Sequence, residues 1–242
     1  MPLRREAPDP LYVQVKKSLL DEIRSGQYHP HDRLPSEREL SNRFDVSRMT
    51  VRQALLDMGR DGTIYARVGQ GTFVAEPRIE QKLSRLTGFT EDMTRRGSTS
   101  GARVLRLESI HPPSSVMRAL QTTPERPVVL LERIRLAGLE PIAIETAYLH
   151  LVNVESLLQE DFKNRSLYQL LRESYDVTPT RAEQRIGADL CSQRDQALLK
   201  VDRGSPVLRN RRVTYDQRDR AFEYVESAYR ADRYVFLVEL AA

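Results

Sequence analysis

The sequence predicts an α+β protein in two parts: three short helices and a β-hairpin first, then an antiparallel sheet carrying helices. Three observations predict it. Ser36 and Ser47 stand where helix caps belong and open two consecutive short helical segments. At Thr63 the apolar spacing changes from a helical to an alternating period. Beyond residue 100, β-prone segments follow one another through connections too short for most parallel crossovers.

The first helix is expected to use Asp9 as cap and Pro10 at its first position. An apolar stripe of Leu11, Val15, Leu19, Leu20 and Ile23 then runs to Gly26. Tyr28 to Pro35 holds two prolines and reads as a connection. Ser36-Glu37-Arg38-Glu39 is a capping box opening a helix to Phe44. After a tight turn at Asp45 and Val46, Ser47 caps a third helix ending near Gly59. Thr63 to Val68 and Thr72 to Val74 are strands joined by Gly69-Gln70-Gly71. Three helices and a hairpin in residues 1–75 outline a winged helix-turn-helix.

Residues 76–86 are polar and read as a linker to a second domain, 87–242. Strands are expected there at 102–110, 127–136, 141–149, 182–190, 206–215, 221–230 and 234–240. Helices are expected at 88–96, 115–121, 153–159, 166–175 and 192–199. The Gly138-Leu139-Glu140 turn makes the second and third of these strands a hairpin.

On the third helix Val51, Ala54, Leu55 and Met58 share an inward stripe, leaving Arg48, Met49, Arg52 and Gln53 outside. Two guanidiniums four residues apart near a helix start suit a recognition helix, because each fork can grip guanine or phosphate. The Ser47 and Thr50 hydroxyls can donate to phosphate beside the helix dipole, and Arg38 sits on the preceding helix. Alone, the same face reads more readily as a solvated surface. The order of caps, turn and glycine hairpin favours DNA.

The runs Leu34-Pro35-Ser36-Glu37-Arg38-Glu39-Leu40, Val46 to Leu55 and Gly69-Gln70-Gly71-Thr72-Phe73-Val74 resemble the GntR family of bacterial regulators over residues 8–75. Met49 stands where a small hydroxyl residue is common in that family. The resemblance implies DNA contacts from Arg38, Ser47, Arg48, Thr50 and Arg52. It also implies a wing tip, Gly69, Gln70 and Gly71, reaching a minor groove.

Further on, Leu86 to Met93, Leu131 to Ala137, Pro141 to Thr146, Ser166-Leu167-Tyr168 and Tyr229 to Tyr234 resemble the HutC subfamily. Its C-terminal UTRA domain is similar in fold to chorismate lyase. Within that subfamily the resemblance is to regulators of N-acetylglucosamine utilisation, which implies an amino-sugar phosphate as effector and a repressor relieved by it. The residues suit such a ligand. Arg133 and Arg135 leave one face of a strand, which is costly unless an anion neutralises them. Glu145 on the next strand and Glu223, sharing parity with Tyr229, can accept sugar hydroxyls. Ser166 caps a helix with Gln169 completing a capping box, Tyr168 follows it, and Phe89 and Thr90 follow Gly88 at another helix start. Without the resemblance, Arg133 and Arg135 read more readily as an exposed face paired with acidic neighbours, Glu145 and Glu223 could be surface charges, and Ser166 is more often only a cap. A non-sugar effector, such as a small carboxylate, is the alternative, and a lyase-like enzyme a weaker one.

Composition narrows the rest. The chain of 242 residues is 40% hydrophobic and 30% charged, as in a globular protein. No run approaches the roughly 20 apolar residues of a membrane span. No apolar run follows the basic residues at the N-terminus, so no signal peptide is expected. A lone Cys191 suits the reducing cytoplasm. His29, His31, His111 and His150 lie in or beside turns without metal spacing, so neither cofactor nor metal is expected. Residues 1–76 carry twelve Lys and Arg against eleven Asp and Glu, so net charge does not mark the DNA-reading part; placement of arginines must. The expected partners are operator DNA with an inverted repeat, a small effector and a second copy of the chain, because one winged helix reads few base pairs.

Overall fold

The computed structural model describes residues 8–67, 69–151, 154–163 and 165–240. Val68 of the expected hairpin and Asn153 of the expected 153–159 helix lie outside them. The chain divides into two compact units, before and after the Arg78–Ile79 junction.

In the first unit, α1 (Leu11–Arg24), α2 (Glu37–Phe44) and α3 (Arg48–Arg60) precede a hairpin of β1 (Ile64–Arg67) and β2 (Gly71–Val74). Its core is Val15, Leu19, Leu34, Leu40, Val51, Ala54, Met58, Ile64 and Val74. These are the inward positions of each helix and the closing pair of the hairpin, Ile64 opposite Val74. The expected caps hold at α2 and α3. Ser36 and Glu39 form a reciprocal capping box, and Ser47 accepts from the Thr50 amide. At α1 the expectation shifts by one residue. Pro10 itself is the extended cap residue, with ψ of 146°, and no side chain caps the helix. The Pro10 carbonyl accepts the Val13 and Gln14 amides, and the Gln14 side chain donates to the Asp9 carbonyl. Asp9 therefore serves through its backbone.

The second unit is a six-stranded antiparallel sheet in the order β4-β5-β6-β9-β8-β7. The strands are β4 (Ser100–Ile110), β5 (Val128–Ala137), β6 (Glu140–Leu149), β7 (Arg181–Leu190), β8 (Pro206–Tyr215) and β9 (Ala221–Arg230). The helices α4 (Phe89–Arg95), α5 (Ser114–Leu120), α6 (Leu167–Ser174) and α7 (Gln193–Leu199) connect or cover them. The segment expected as a helix at 153–159 is a 3-10 turn, Val154–Gln159, a geometry used in short pieces. The main core lies between the sheet and α6, around Leu131, Ala147, Leu149, Leu170, Leu171 and Val225.

Two expectations change at the ends of this unit. The last strand, expected at 234–240, stops at Leu237 as β10 (Tyr234–Leu237) and does not join the large sheet. It pairs in parallel with β3 (Ile79–Lys82), inside the segment read as linker. Ile79 packs on the aromatic cluster of Phe89, Tyr229 and Tyr234, and the Tyr234 hydroxyl donates to Gln81 at 2.9 Å. A four-residue strand with one apolar side chain gives no alternating pattern to read.

Candidate functional site

Each unit presents one site. In the first, α3 turns Val51, Ala54 and Met58 inward, which forces Arg48, Met49, Arg52 and Gln53 to the surface. Met49 is 68% exposed. At the helix start the Ser47 and Thr50 hydroxyls lie 2.8 Å apart. The hairpin tip turns through Gly69 and Gly71, whose φ values of 73° and 115° suit glycine. Apart from exposed Lys17 on α1 and partly buried Arg78, the described lysines and arginines of this unit fall into two sets. Lys16, Arg24, Arg43 and Arg60 pair with Asp61, Asp21, Glu22 and Asp57. Arg33, Arg38, Arg48, Arg52 and Arg67 are exposed and make no ion pair among the described residues. A unit of almost balanced charge thus keeps its exposed unpaired guanidiniums on α2, α3, the hairpin and the connection before α2, a positive footprint made by segregation. Arg33 and Arg67 are additions to the expected set. Arg33 crosses Gly71, its Nε 2.8 Å from where a Cβ would stand, and Arg67 lies 5.5 Å from both the Tyr65 and Phe73 rings. Their isolation within connection and strand hid them; only the hairpin register brings them together.

In the second unit, a narrow cavity of about 20 Å3 opens where the starts of α4 and α6 meet the sheet. That is far below the usual range of small-molecule sites, roughly 300–1,000 Å3, so a ligand larger than water enters only if the lining side chains move apart. A Cβ at Gly88 would meet the Tyr168 ring at 3.6 Å, an ordinary contact, so the start of α4 packs closely on α6 without requiring glycine. Phe89, Thr90, Arg133, Arg135, Glu145, Ser166, Tyr168 and Glu223, expected from the sequence, all line it. Tyr229 does not. It lies buried beside the cavity, stacked 4.3 Å from Tyr234. Ser166 caps α6 by accepting from the Gln169 amide, but the Gln169 side chain donates to Glu173 instead of closing a capping box.

Three arginines, not two, enter this cavity. Arg212 of β8 was missed, since Arg209, Asn210, Arg211 and Arg212 run together and only pairing shows which face each takes. Arg212 lies opposite Val225 and beside Glu223. The charges are unevenly compensated. Arg133 and Glu145 are cross-strand neighbours bound through Nε at 2.8 Å and Nη2 at 2.6 Å. Burial alone would raise the Glu145 pKa, but the attraction of Arg133 and Arg135 outweighs it and takes it to about 2. Glu223 accepts from the Tyr168 and Thr214 hydroxyls, both at 2.6 Å, with Arg212 at 3.8 Å. Burial pulls the Arg212 pKa down, yet neighbouring Tyr168 and Glu223 raise it above the ordinary value. Arg135 differs. It is 2% exposed, donates to the Thr90 hydroxyl at 2.8 Å and lies 4.5 Å over the Phe89 ring, with no carboxylate partner among the described residues. Burial and the like charge of Arg133 lower its pKa to about 10, so it stays charged at neutral pH. Arg133 Nη1, Arg135 Nε and Arg212 Nε are buried and make no hydrogen bond among the described residues.

A larger opening of about 930 Å3 lies at another part of the unit, by His150, Asp216 and Arg218. Its Arg218 and Arg220 already pair with Asp176 and Asp216.

Family models for bacterial regulatory proteins of the gntR family and for the UTRA domain match residues 11–74 and 95–235. The repressor NagR of Bacillus subtilis is 35% identical over 98% of this chain and 97% of its own. The chain belongs to the GntR family, HutC type. A second GntR relative, the histidine utilization repressor of Pseudomonas putida, is 32% identical over 88% of this chain and 85% of its own. The crystal structure of PhnF from Mycobacterium smegmatis has a TM-score of 0.68 and 31% identity, covering 96% of this chain and all of that one. These GntR proteins are DNA-binding transcription regulators, not enzymes, which sets the lyase alternative aside. Among the described residues no helix is long and apolar enough to cross a membrane.

Proposed function

We propose that the chain is a dimeric cytoplasmic repressor, and that a phosphorylated amino sugar in the UTRA cavity lowers its affinity for operator DNA. Arg38, Ser47, Arg48, Thr50 and Arg52 contact DNA, with Gly69, Gln70 and Gly71 at the wing tip. Arg33 and Arg67 add phosphate contacts beside that tip. The observation that carries the effector reading is Arg135, a buried guanidinium without a carboxylate partner, opening with Thr90 and Ser166 into one cavity. A phosphate there gains charge-assisted bonds from a group whose desolvation is already met. Glu145, held as a carboxylate by Arg133 and Arg135, and Glu223, beside Arg212, accept the sugar hydroxyls, and Phe89 and Tyr168 wall the ring. The mannosyl-D-glycerate system repressor MngR of Escherichia coli, 31% identical over 94% of this chain and 94% of its own, supports a sugar ligand; the histidine utilization relative supports the alternative of a non-sugar anion.

Titration calorimetry separates them. Glucosamine 6-phosphate or N-acetylglucosamine 6-phosphate should bind, while the free sugars lose one or two charge-assisted bonds at about 1.5–3 kcal/mol each. Arg135→Ala should abolish the response while leaving operator binding in place, because the sites lie in separate units. Equal affinity for sugar and sugar phosphate would show that the cavity holds another ligand class.

A further inference from the structure

Gln184 of β7 and Arg212 of β8 are cross-strand neighbours. The Gln184 Nε2 and the Arg212 Nε are both buried and make no hydrogen bond among the described residues. A buried donor without an acceptor is uncommon in a folded protein and calls for a partner that the chain does not supply. Both side chains line a second cavity, of about 240 Å3, between the β7–β8 pair and residues 83–87, the run from β3 to α4. Arg212 is common to this cavity and to the narrow one at the starts of α4 and α6, whereas Gln184 lines only this one.

The walls show what is missing. The guanidiniums of Arg85, Arg181 and Arg212 line the cavity, and among the described residues no aspartate or glutamate does. Arg181 is neutralised by Glu183 and Asp219, at 2.8 and 2.7 Å. Arg212 stays 3.8 Å from Glu223, beyond hydrogen-bond reach, while Tyr168 and Thr214 donate to that carboxylate at 2.6 Å. Arg85 is exposed and makes no ion pair among the described residues. Positive charge without full compensation therefore stands beside two open donors, and a carboxylate or phosphate meets both needs. Part of the wall is apolar. Ala182 and Ile186 leave the same face of β7 as Gln184, and Leu83 and Leu86 come from the 83–87 run. Hydrocarbon beside a cationic end suits a ligand with a short carbon body. The volume, just under the roughly 300–1,000 Å3 of usual small-molecule sites, keeps that body small.

We propose that this cavity is a second anion site, separate from the effector cavity, and that it takes a small organic anion whose carboxylate or phosphate sits among Gln184, Arg212 and Arg85. The site does not depend on what the effector is. Its 83–87 wall runs directly into Gly88, the cap residue of α4, so an anion held there also fixes the segment that leads to the effector cavity. Because Arg212 borders both cavities, filling one changes the charge that the other meets.

Equilibrium dialysis of the full chain against labelled succinate and labelled glycerol phosphate tests it. Wild type should bind at least one of them at millimolar concentration or below, and the one held more tightly names carboxylate or phosphate as the anionic group. Gln184→Leu and Arg85→Ala should each weaken that binding about tenfold, the loss of one charge-assisted bond. Gln184→Glu sets a carboxylate beside Arg212 from within the chain. It should abolish probe binding and raise the melting temperature, which a merely misfolded strand would not do. Arg135→Ala should leave this binding within about twofold, and any share it removes belongs to the effector cavity. Probe binding that is absent from wild type, insensitive to the Gln184 and Arg85 changes, or wholly removed by Arg135→Ala overturns the second site. The effector reading stands or falls separately, on sugar-phosphate binding and its loss in Arg135→Ala.

Discussion

Arginine does opposite work in the two units. In the first, five guanidiniums stand exposed without ion pairs on α2, α3, the hairpin and the connection before α2. In the second, Arg133 and Arg135 are 4% and 2% exposed, Arg212 lies nearly as deep, and two of the three have a carboxylate partner. An exposed cation costs the fold little and is available to a polyanion. A buried one is costly without its counter-charge, and removing that counter-charge unsettles whatever was built around it. The same side chain is therefore an affinity element in one unit and a structural and ligand-sensing element in the other.

The contrast is sharpest at Glu145. Glu145→Ala leaves Arg133 buried beside Arg135 with no neutralising charge, so unfolding of the second unit, followed by calorimetry on the full chain, should show a loss of about 3–5 kcal/mol. A loss below 1 kcal/mol would mean that these arginines reach water. Acid tests the same pair more gently. The Glu145 pKa falls from an ordinary 4.5 to about 2 in the folded chain, which corresponds to about 3 kcal/mol at 1.4 kcal/mol per tenfold change in proton affinity. A depressed carboxyl stabilises above its unfolded pKa, so this contribution is present at neutral pH and is lost as pH falls from about 4.5 towards 2. Glu145→Gln should flatten the stability profile in that window. The smallest effect belongs to the exposed set. Arg48→Ala and Arg52→Ala should leave unfolding unchanged while each costs about 1–3 kcal/mol of operator binding, read by fluorescence anisotropy. Binding should also weaken steeply with salt. Unchanged affinity in both would move the DNA contacts off α3.

Much of this was legible in the sequence where the physics is local. Ser36, Ser47 and Ser166 announce helix starts because a hydroxyl must satisfy amides that the first turn leaves open. Arg133 and Arg135 share a face by strand parity alone, and Glu145 falls opposite Arg133 once the Gly138 turn sets the hairpin. What escaped depends on pairing between distant segments. Arg212 cannot be assigned a face from a run of basic residues until β8 is registered on β9. Nor does β3 exist without β10. At Pro10 and Gln169 the residue types suit the expected motif, but other hydrogen bonds won: the Gln169 amide group found Glu173, one helical turn away.

The parallel pairing of β3 with β10 sets an order of events during synthesis. Ile79 lies opposite Tyr234, so the first strand of the UTRA unit waits for more than 150 residues of chain before its partner exists. At roughly 5–20 residues per second on the ribosome, that delay is about 8–30 s. The DNA-reading unit, whose contacts are all upstream of Ile79, can complete its core within that interval. A folded DNA head can therefore precede closure of the regulatory unit, and β10 finishes the seam. A premature stop just before Tyr234 would leave the head intact and strip the regulatory unit of its closing strand, exposing Ile79 and the aromatic cluster to quality-control proteases.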